Sequence, residues 1–373
     1  MKIGFITNIR SPYKTLQISE FCKIDNVDIT VYYTEPENKK IKWEELKSGF
    51  KEVNLEQYKF LLKYNLILNK KIRKIILEHD FILLSGYDQL TMIYSSILCR
   101  IYNKPYTILF DGISKYRLND KENKIKKVLK SIVIKGSHSV MANGSIGRKY
   151  LQQKFNYPSY RIYNQYLSID YSKIRYLAKD KIEYRNYYRN KYNIQKDKKV
   201  VLYSGRLIEK KNVESIIQSI SILNRSDIML LITGGGVLES NIKELANRLG
   251  VDIKITGFIN EQELLFKHYF SSDVLILPSK DEPWGLVVNE CMAAELPVLV
   301  SDICGCSEDL VLPGENGYLI DPFDIEDIAT KIEKVLYQDS VEKMGRKSLE
   351  IISEWTFEKS RQSLEAIIKS IQN

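Results

Sequence analysis

Along residues 199–321 the chain repeats one pattern: a short, almost unbroken apolar run, a turn, then a stretch whose apolar positions recur every three or four residues. The runs are KVVLYSG (199–205), DIMLLITGG (227–235), VDIKITG (251–257), SDVLILPS (272–279), LPVLVSD (296–302) and NGYLID (316–321). Helical spacing fills 213–223 and 238–249 between the early ones. Runs that are apolar on both faces and alternate with helices predict a parallel sheet covered on both sides, wound right-handed.

The first half repeats the theme with KIGFIT (2–7), VDITVYY (27–33), DFILLSG (80–86), KPYTILFD (104–111) and HSVMANG (138–144). Helical patterns fall at 56–78, 88–102 and 121–135. A short strand near 163–166 gives way to a charged, Tyr-rich helix at 172–192, and an amphipathic helix closes the chain at 357–371. The expected organisation is α/β: a Rossmann-like domain over 1–170, a second over 171–355, and a terminal helix in 356–373 packing back on the first. Two such domains would face each other across a cleft, with ligands beyond the carboxyl ends of the strands.

Length and composition agree with this picture, since 373 residues suit two cores and 44% hydrophobic residues exclude a disordered chain. Charge adds something new. Residues 1–199 hold 39 Lys+Arg against 19 Asp+Glu, a net of +20, whereas 200–373 hold 17 against 28, a net of −11. A basic half joined to an acidic half implies different partners for each. No recognition-helix, zinc-finger or RNP-like pattern accompanies the basic half, so nucleic acid is not an expected partner. The five cysteines, at 22, 99, 291, 304 and 306, form no C-x-x-C pair and no metal-ligand spacing. Reduced thiols in the cytoplasm are the expectation. The first residues carry no signal-peptide pattern, and no apolar run approaches the ~20 residues of a membrane span.

Three strand-to-helix turns carry candidate chemistry. In SGRLIEKKN (204–212), Gly205 permits a tight turn and Arg206 and Lys211 flank it, an arrangement suited to a phosphate or diphosphate; two solvated surface cations would look the same. ITGGGVLES (232–240) is neither G-x-G-x-x-G nor a P-loop, so its glycines serve close backbone packing or the close approach of a ligand. DEPWGLVVNECMA (281–293) places Glu282 in a loop and Glu290 on a helix. There Glu290 shares a stripe with Leu286, Val287, Ala293 and Ala294, where an unpartnered carboxylate costs roughly several kcal/mol.

Taken in order, these blocks resemble the family-4 retaining glycosyltransferases of the GT-B fold. The likeness runs from about Val200 to Asp321: the G-R-L turn with a Lys six residues after the Gly, the glycine turn, I-T-G-F at 255–258 and S-D-V-L-I-L-P-S. It continues through E-x7-E as Glu282 and Glu290, A-A-E-L-P-V, and G-E-N-G-Y-L at 314–319. The resemblance implies that Arg206 and Lys211, at the Gly205 turn, hold a donor diphosphate and stabilise the leaving group. It gives Glu290 the ribose hydroxyls and Glu282 the transferred sugar. Gly257 and Phe258 would lie by the nucleobase, the loop amides of Trp284, Gly285 and Leu286 would face sugar hydroxyls or phosphate oxygens, and Pro283 would line the donor beside them. It further implies front-face attack without an enzyme nucleophile. No Asp-x-Asp occurs, so no metal or other cofactor is expected.

The first half departs from the family pattern. Where members often carry a Gly-Gly loop after the first strand, this chain has TNIRSPYK (7–14), with Asn8 and Tyr13 as candidates beside Ser11. None of His79, His138 and His268 stands where many members place a histidine; Asp111 in LFDGIS holds roughly that place and could accept a sugar hydroxyl, or form an ordinary turn with Gly112. LNKKIRKII, from Leu68 to Ile76, and KENKIKKVLK, from Lys121 to Lys130, combine cations with apolar residues at helical spacing. Each is either a solvated helix face or a contact with anionic headgroups.

The expected function is therefore metal-independent retaining transfer of a hexose from a nucleotide diphosphate, UDP by default or GDP. The acceptor would be a glycan or lipid-linked glycan in surface polysaccharide assembly, at the inner face of the plasma membrane. A catalytically silent sugar-nucleotide-binding subunit and a GT-B-fold phosphorylase or epimerase are the alternatives.

Overall fold

The computed structural model of the protein describes residues 1–8, 10–35, 49–120 and 122–372; Lys121, which opens the second basic segment, and Ile9, in the loop after the first strand, lie outside them. The chain forms two compact units, one of Met1–Gly112, Arg117–Ser168 and Thr356–Asn373, the other of Ile113–Tyr116 and Ile169–Trp355.

The first unit is built on seven parallel strands: β1 (Lys2–Thr7), β2 (Asp28–Tyr33), β3 (Lys51–Asn54), β4 (Phe81–Ser85), β5 (Tyr106–Phe110), β6 (Ser139–Ala142) and β7 (Ile162–Asn164), in spatial order β3-β2-β1-β4-β5-β6-β7. The closing helix Phe357–Gln372 inserts Leu364, Ile367 and Ile368 into the core with Phe5, Phe21 and Phe81. Its Ser360 accepts a hydrogen bond from the buried Gln17 amide at 2.9 Å.

The second unit has six parallel strands: β8 (Lys199–Ser204), β9 (Ile228–Thr233), β10 (Asp252–Ile255), β11 (Val274–Leu277), β12 (Val298–Ser301) and β13 (Gly317–Ile320), in order β10-β9-β8-β11-β12-β13. Every residue of β9 is buried, which is why the strand is apolar without alternation. Asp273 staples the helix Lys181–Lys191 to this sheet, accepting from Arg185, Arg189 and the Val200 amide at 2.6–3.0 Å.

Two expected helices differ. The helix over 56–78 is broken into Lys59–Leu62 and Ile72–Glu78, because Asn65 and Lys71 adopt left-handed φ values of 55° and 65°. The helix over 172–192 becomes Tyr171–Leu177 and Lys181–Lys191 around a 3-10 turn. Within 68–76 the isoleucines Ile72, Ile75 and Ile76 are buried and Leu68 is half-buried, so this segment turns chiefly its cations outward. Among the described residues no helix is long and apolar enough to cross a membrane.

Candidate active site

In the second unit the strand order reverses between β8 and β11, and the crevice beyond their carboxyl ends is where such sheets take ligands. Leaving β8, the chain turns through Gly205, Arg206 and Leu207 and reaches Lys211 in a 3-10 turn. The glycine turn after β9 interlocks with it. A Cβ on Gly234 would stand 1.9 Å from the Gly205 carbonyl oxygen, and one on Gly236 would stand 2.4 Å from that of Leu207. The Leu207 amide also donates to the Gly235 carbonyl at 3.0 Å. Gly234 and Gly236 are thus required by backbone packing, whereas Gly235 is free of that constraint. Gly257 pairs with Gly234 as an isolated bridge at φ 76°, and the Phe258 ring beyond it is 76% exposed.

The loop after β11 is pinned from several sides. Gly285, at φ 95°, opens the helix Leu286–Ala293, and a Cβ there would meet Leu277 at 2.9 Å. Trp284 is buried and stacks on Trp355 at 5.1 Å, donating through its indole to Asn289 at 3.0 Å. Asn289 in turn donates to the Tyr171 hydroxyl at 3.1 Å. The Gly305 amide donates to the Glu282 carbonyl at 2.9 Å, and a Cβ on Gly305 would lie 1.8 Å from the Pro283 carbonyl oxygen. The Ser114 hydroxyl donates to Asp281 at 2.5 Å. The side chain of Trp284 therefore shapes the loop from beneath, and only backbone groups of that residue remain for a ligand. Burial pushes the neighbouring Cys304 and Cys306 thiols well above their usual pKa, which keeps them protonated and inert.

The charged residues named from the sequence fall into two places. Lys211 is ion-paired with Glu282, both largely buried. Arg206 is exposed, and its charge and that of Glu282 act in opposite senses on the buried Tyr203 hydroxyl, which burial drives upward in pKa. Arg206 and Lys211 thus lie on the turn that leaves β8, and Glu282 on the loop that leaves β11 and pairs with Lys211. Glu290 lies apart from that pair and accepts a hydrogen bond from the Tyr269 hydroxyl at 2.7 Å; the same hydroxyl is 3.2 Å from Ser204 Oγ. Burial raises the Glu290 carboxyl to about 7 against the pull of the Tyr269 hydrogen bond. Tyr269 is itself driven well above its usual range, by burial first and then by the Glu290 charge. Two buried hydroxyls, Thr233 Oγ1 at the end of β9 and Ser279 Oγ just past β11, have no partner among the described residues.

In the first unit the candidates gather beyond β1 and β5. Asp111 Oδ1 accepts from Lys14 Nζ at 2.8 Å and from Gln165 Nε2 at 2.6 Å, while among the described residues Oδ2 meets only the Tyr13 hydroxyl at 3.5 Å. Lys14 is buried, so its ammonium depends on this carboxylate; the Asp111 side chain is 40% exposed and keeps one oxygen open. Burial and the Asp111 charge push the Tyr13 hydroxyl far up. Asn8 is exposed, and its carbonyl accepts from the Glu35 amide at 2.9 Å. Thr7 Oγ1, Asn143 Nδ2 and Gln165 Oε1 are buried without partners among the described residues, at the same ends of their strands. The histidines serve elsewhere: His79 bonds the Ile75 carbonyl, His138 meets Ser370, and His268 lies between Leu264 and Tyr192. Among the described residues no group of three or more His, Cys, Asp or Glu is placed to hold a metal ion. Sequence reasoning missed Lys14, Gln165 and Tyr269; each reaches its partner from a distant part of the chain.

Residues 185–350 match the family described as Glycosyl transferases group 1, and this segment belongs to it, carried on the GT-B fold. The chain is similar to the "Uncharacterized glycosyltransferase MJ1607" of Methanocaldococcus jannaschii, 36% identical over 152 residues that cover 40% of this chain and 38% of that protein. It is also similar to the capsular polysaccharide biosynthesis glycosyltransferase CapM of Staphylococcus aureus, 29% identical over 43% of each chain. The chain thus spans about two fifths of the length of these relatives. By structure it resembles Anabaena Alr3699/HepE, solved in complex with UDP, with a TM-score of 0.78 at 16% identity over 99% of this chain and 100% of that one.

Proposed function

We propose that the protein is a retaining glycosyltransferase that moves a sugar from a nucleotide-diphosphate donor to a glycan or lipid-linked glycan in surface polysaccharide assembly. It would work without a metal, in the cytoplasm. The observation that carries this reading is the pairing of Lys211 with Glu282 beside exposed Arg206, with a protonatable Glu290 further along the same crevice.

In this reading the donor diphosphate takes over Lys211 from Glu282. That exchange keeps the cation neutralised and frees the Glu282 carboxylate to accept hydroxyls of the transferred sugar. Arg206 shares the diphosphate, and both cations offset the charge that develops as the bond from the anomeric carbon to the phosphate oxygen breaks. The acceptor hydroxyl forms its bond to the anomeric carbon on the face the diphosphate leaves, and its proton passes to a phosphate oxygen of the departing group. Glu290 accepts the ribose hydroxyls, Tyr269 holds it in place, and the exposed Phe258 ring covers the base. UDP is the first donor base to examine, because HepE is described in complex with it. In the first unit, Asp111 Oδ2 accepts a sugar hydroxyl.

The test is a panel of UDP- and GDP-sugars with lipid-linked and soluble glycan acceptors, with and without EDTA. Transfer that persists in EDTA supports the reading. Transfer lost in EDTA and restored by Mn²⁺ overturns metal independence, and no turnover of any donor counts against transfer itself.

A further inference from the structure

Of the three glycines that follow β9, backbone packing accounts for two. Gly235 has no such reason, and its backbone lies outside the left-handed region that favours glycine. A methyl on it would stand 3.7 Å from Glu239 Oε2 and 3.8 Å from the Phe258 amide nitrogen, which are ordinary van der Waals separations. Among the described residues nothing else lies within 4 Å apart from its chain neighbours. The fold therefore tolerates a side chain at 235. The space that side chain would fill is bordered by a carboxylate oxygen and a backbone N–H.

Both of these groups are unengaged. The helix Glu239–Leu249 opens two residues after the glycine turn, and Glu239 Oε1 accepts from Lys243 Nζ, one turn further on, at 2.7 Å. Glu239 Oε2 and the Phe258 amide have no hydrogen-bond partner among the described residues. The side chains of Glu239 and Lys243 are 36% and 55% exposed, so a ligand can reach them. Gly235 follows β9 and Phe258 follows β10, which sets this group at the same ends of the sheet as Arg206 and Lys211 after β8.

From Phe258 through Glu239 Oε2 to Lys243 the order is donor, acceptor, donor. The complement is a carbonyl, an N–H and a second carbonyl in a row, which is the imide edge of uracil. Guanine offers a carbonyl and an N–H but then an amino group, which would face the Lys243 ammonium. Cytosine and adenine turn an amino group toward the Phe258 N–H and a bare ring nitrogen toward the carboxylate. A site built of hydrogen-bonding groups discriminates chiefly by leaving such groups unpaired against the wrong partner.

We propose that Glu239 selects uracil as the donor base. Its Oε2 accepts the uracil N3–H, the Phe258 amide and the Lys243 ammonium donate to the flanking carbonyl oxygens, and Gly235 stays bare so that the edge of the base can approach. The assignment rests on the reading of the crevice as a nucleotide-sugar site and adds the residues that choose the base.

The experiment is calorimetric titration of the full chain with UDP, GDP, CDP and ADP, for the wild type and for Glu239→Gln, Lys243→Met and Gly235→Val. The melting temperature of each variant without nucleotide verifies its fold. Wild type should bind UDP about tenfold or more tighter than the other three. Glu239→Gln should weaken UDP by about tenfold and narrow its lead over CDP, because the carboxamide N–H can pair with the cytosine ring nitrogen. Lys243→Met frees Oε1 for the guanine amino group and should move the preference toward GDP. Gly235→Val should melt like wild type and bind UDP about tenfold or more weakly, since its side chain occupies the place of the base edge. Wild type that binds GDP, CDP or ADP as tightly as UDP overturns the selection of uracil, as does UDP affinity unchanged in Glu239→Gln or Gly235→Val; the nucleotide site itself would then stand. Failure of all four nucleotides to bind would overturn the nucleotide-sugar reading and the base assignment with it.

Discussion

Replacing Glu290 with glutamine removes a charge that the fold holds at a cost. The carboxyl stands at about 7 in the folded protein against an ordinary 4.5, with burial as the main cause. The folded state therefore keeps its proton over a range where the unfolded chain has released it, and stability falls as pH rises from 4.5 to about 7. That interval corresponds to roughly 3 kcal/mol, an upper figure because one side of Glu290 remains open to water. In Glu290→Gln the amide oxygen still accepts from Tyr269, and no charge is buried at any pH. The variant should match wild type near pH 5 and exceed it near pH 8 by up to about 3 kcal/mol, a shift of several degrees in melting temperature. Ribose hydroxyls that donate to the ionised carboxylate would lower its pKa, so wild-type affinity for UDP should climb with pH toward about 7 and then level. The glutamine variant should bind UDP weakly and show no such climb. Scanning calorimetry across pH, with and without UDP, reads both effects. Parallel stability profiles for the two proteins would refute the argument about burial, and wild-type UDP affinity independent of pH would refute the assignment of the ribose.

Other consequences are checkable alongside. Lys14→Met leaves Asp111 Oδ1 with Gln165 alone, so acceptor-dependent transfer should fall while the UDP-induced melting shift stays at the wild-type value. Gly305→Ala sets a methyl 1.8 Å from the Pro283 carbonyl oxygen, and the displaced loop should cost about 2 kcal/mol or more together with nucleotide binding, read by calorimetric titration. Leu364→Ala opens the first unit's core beneath the closing helix and should cost about 2–5 kcal/mol in denaturant unfolding, with UDP binding retained.

The two sheets were legible because strands buried on both faces advertise themselves as continuous apolar runs, and β9 is buried at every position. β3, Lys51–Asn54, was not: an edge strand of sequence KEVN has no such signature. Periodicity also passed over the breaks at Asn65 and Lys71, since left-handed backbone leaves no trace in the spacing of apolar residues. In the candidate site, the positions legible in the sequence are those on turns that leave a strand, such as Gly205, Arg206 and Glu282, and Glu290 on the helix that the last of these turns opens. What they touch is set by tertiary structure. Tyr269 was one of 25 tyrosines, and Lys14 meets Asp111 across 97 positions with no local pattern to mark either. Lys211 illustrates the limit: its place was evident, its pairing with Glu282 was not.

The central claim is that the crevice between β8 and β11 activates a nucleotide sugar for departure of its diphosphate with retention. Time-resolved proton NMR of UDP- and GDP-α-sugars incubated with the protein in EDTA tests it without any knowledge of the acceptor, because water can stand in for the hydroxyl. The account predicts slow release of free sugar from one of these donors, appearing first as the α anomer and lost in Lys211→Ala. Sugar appearing first as the β anomer, or release unchanged in Lys211→Ala, would contradict it.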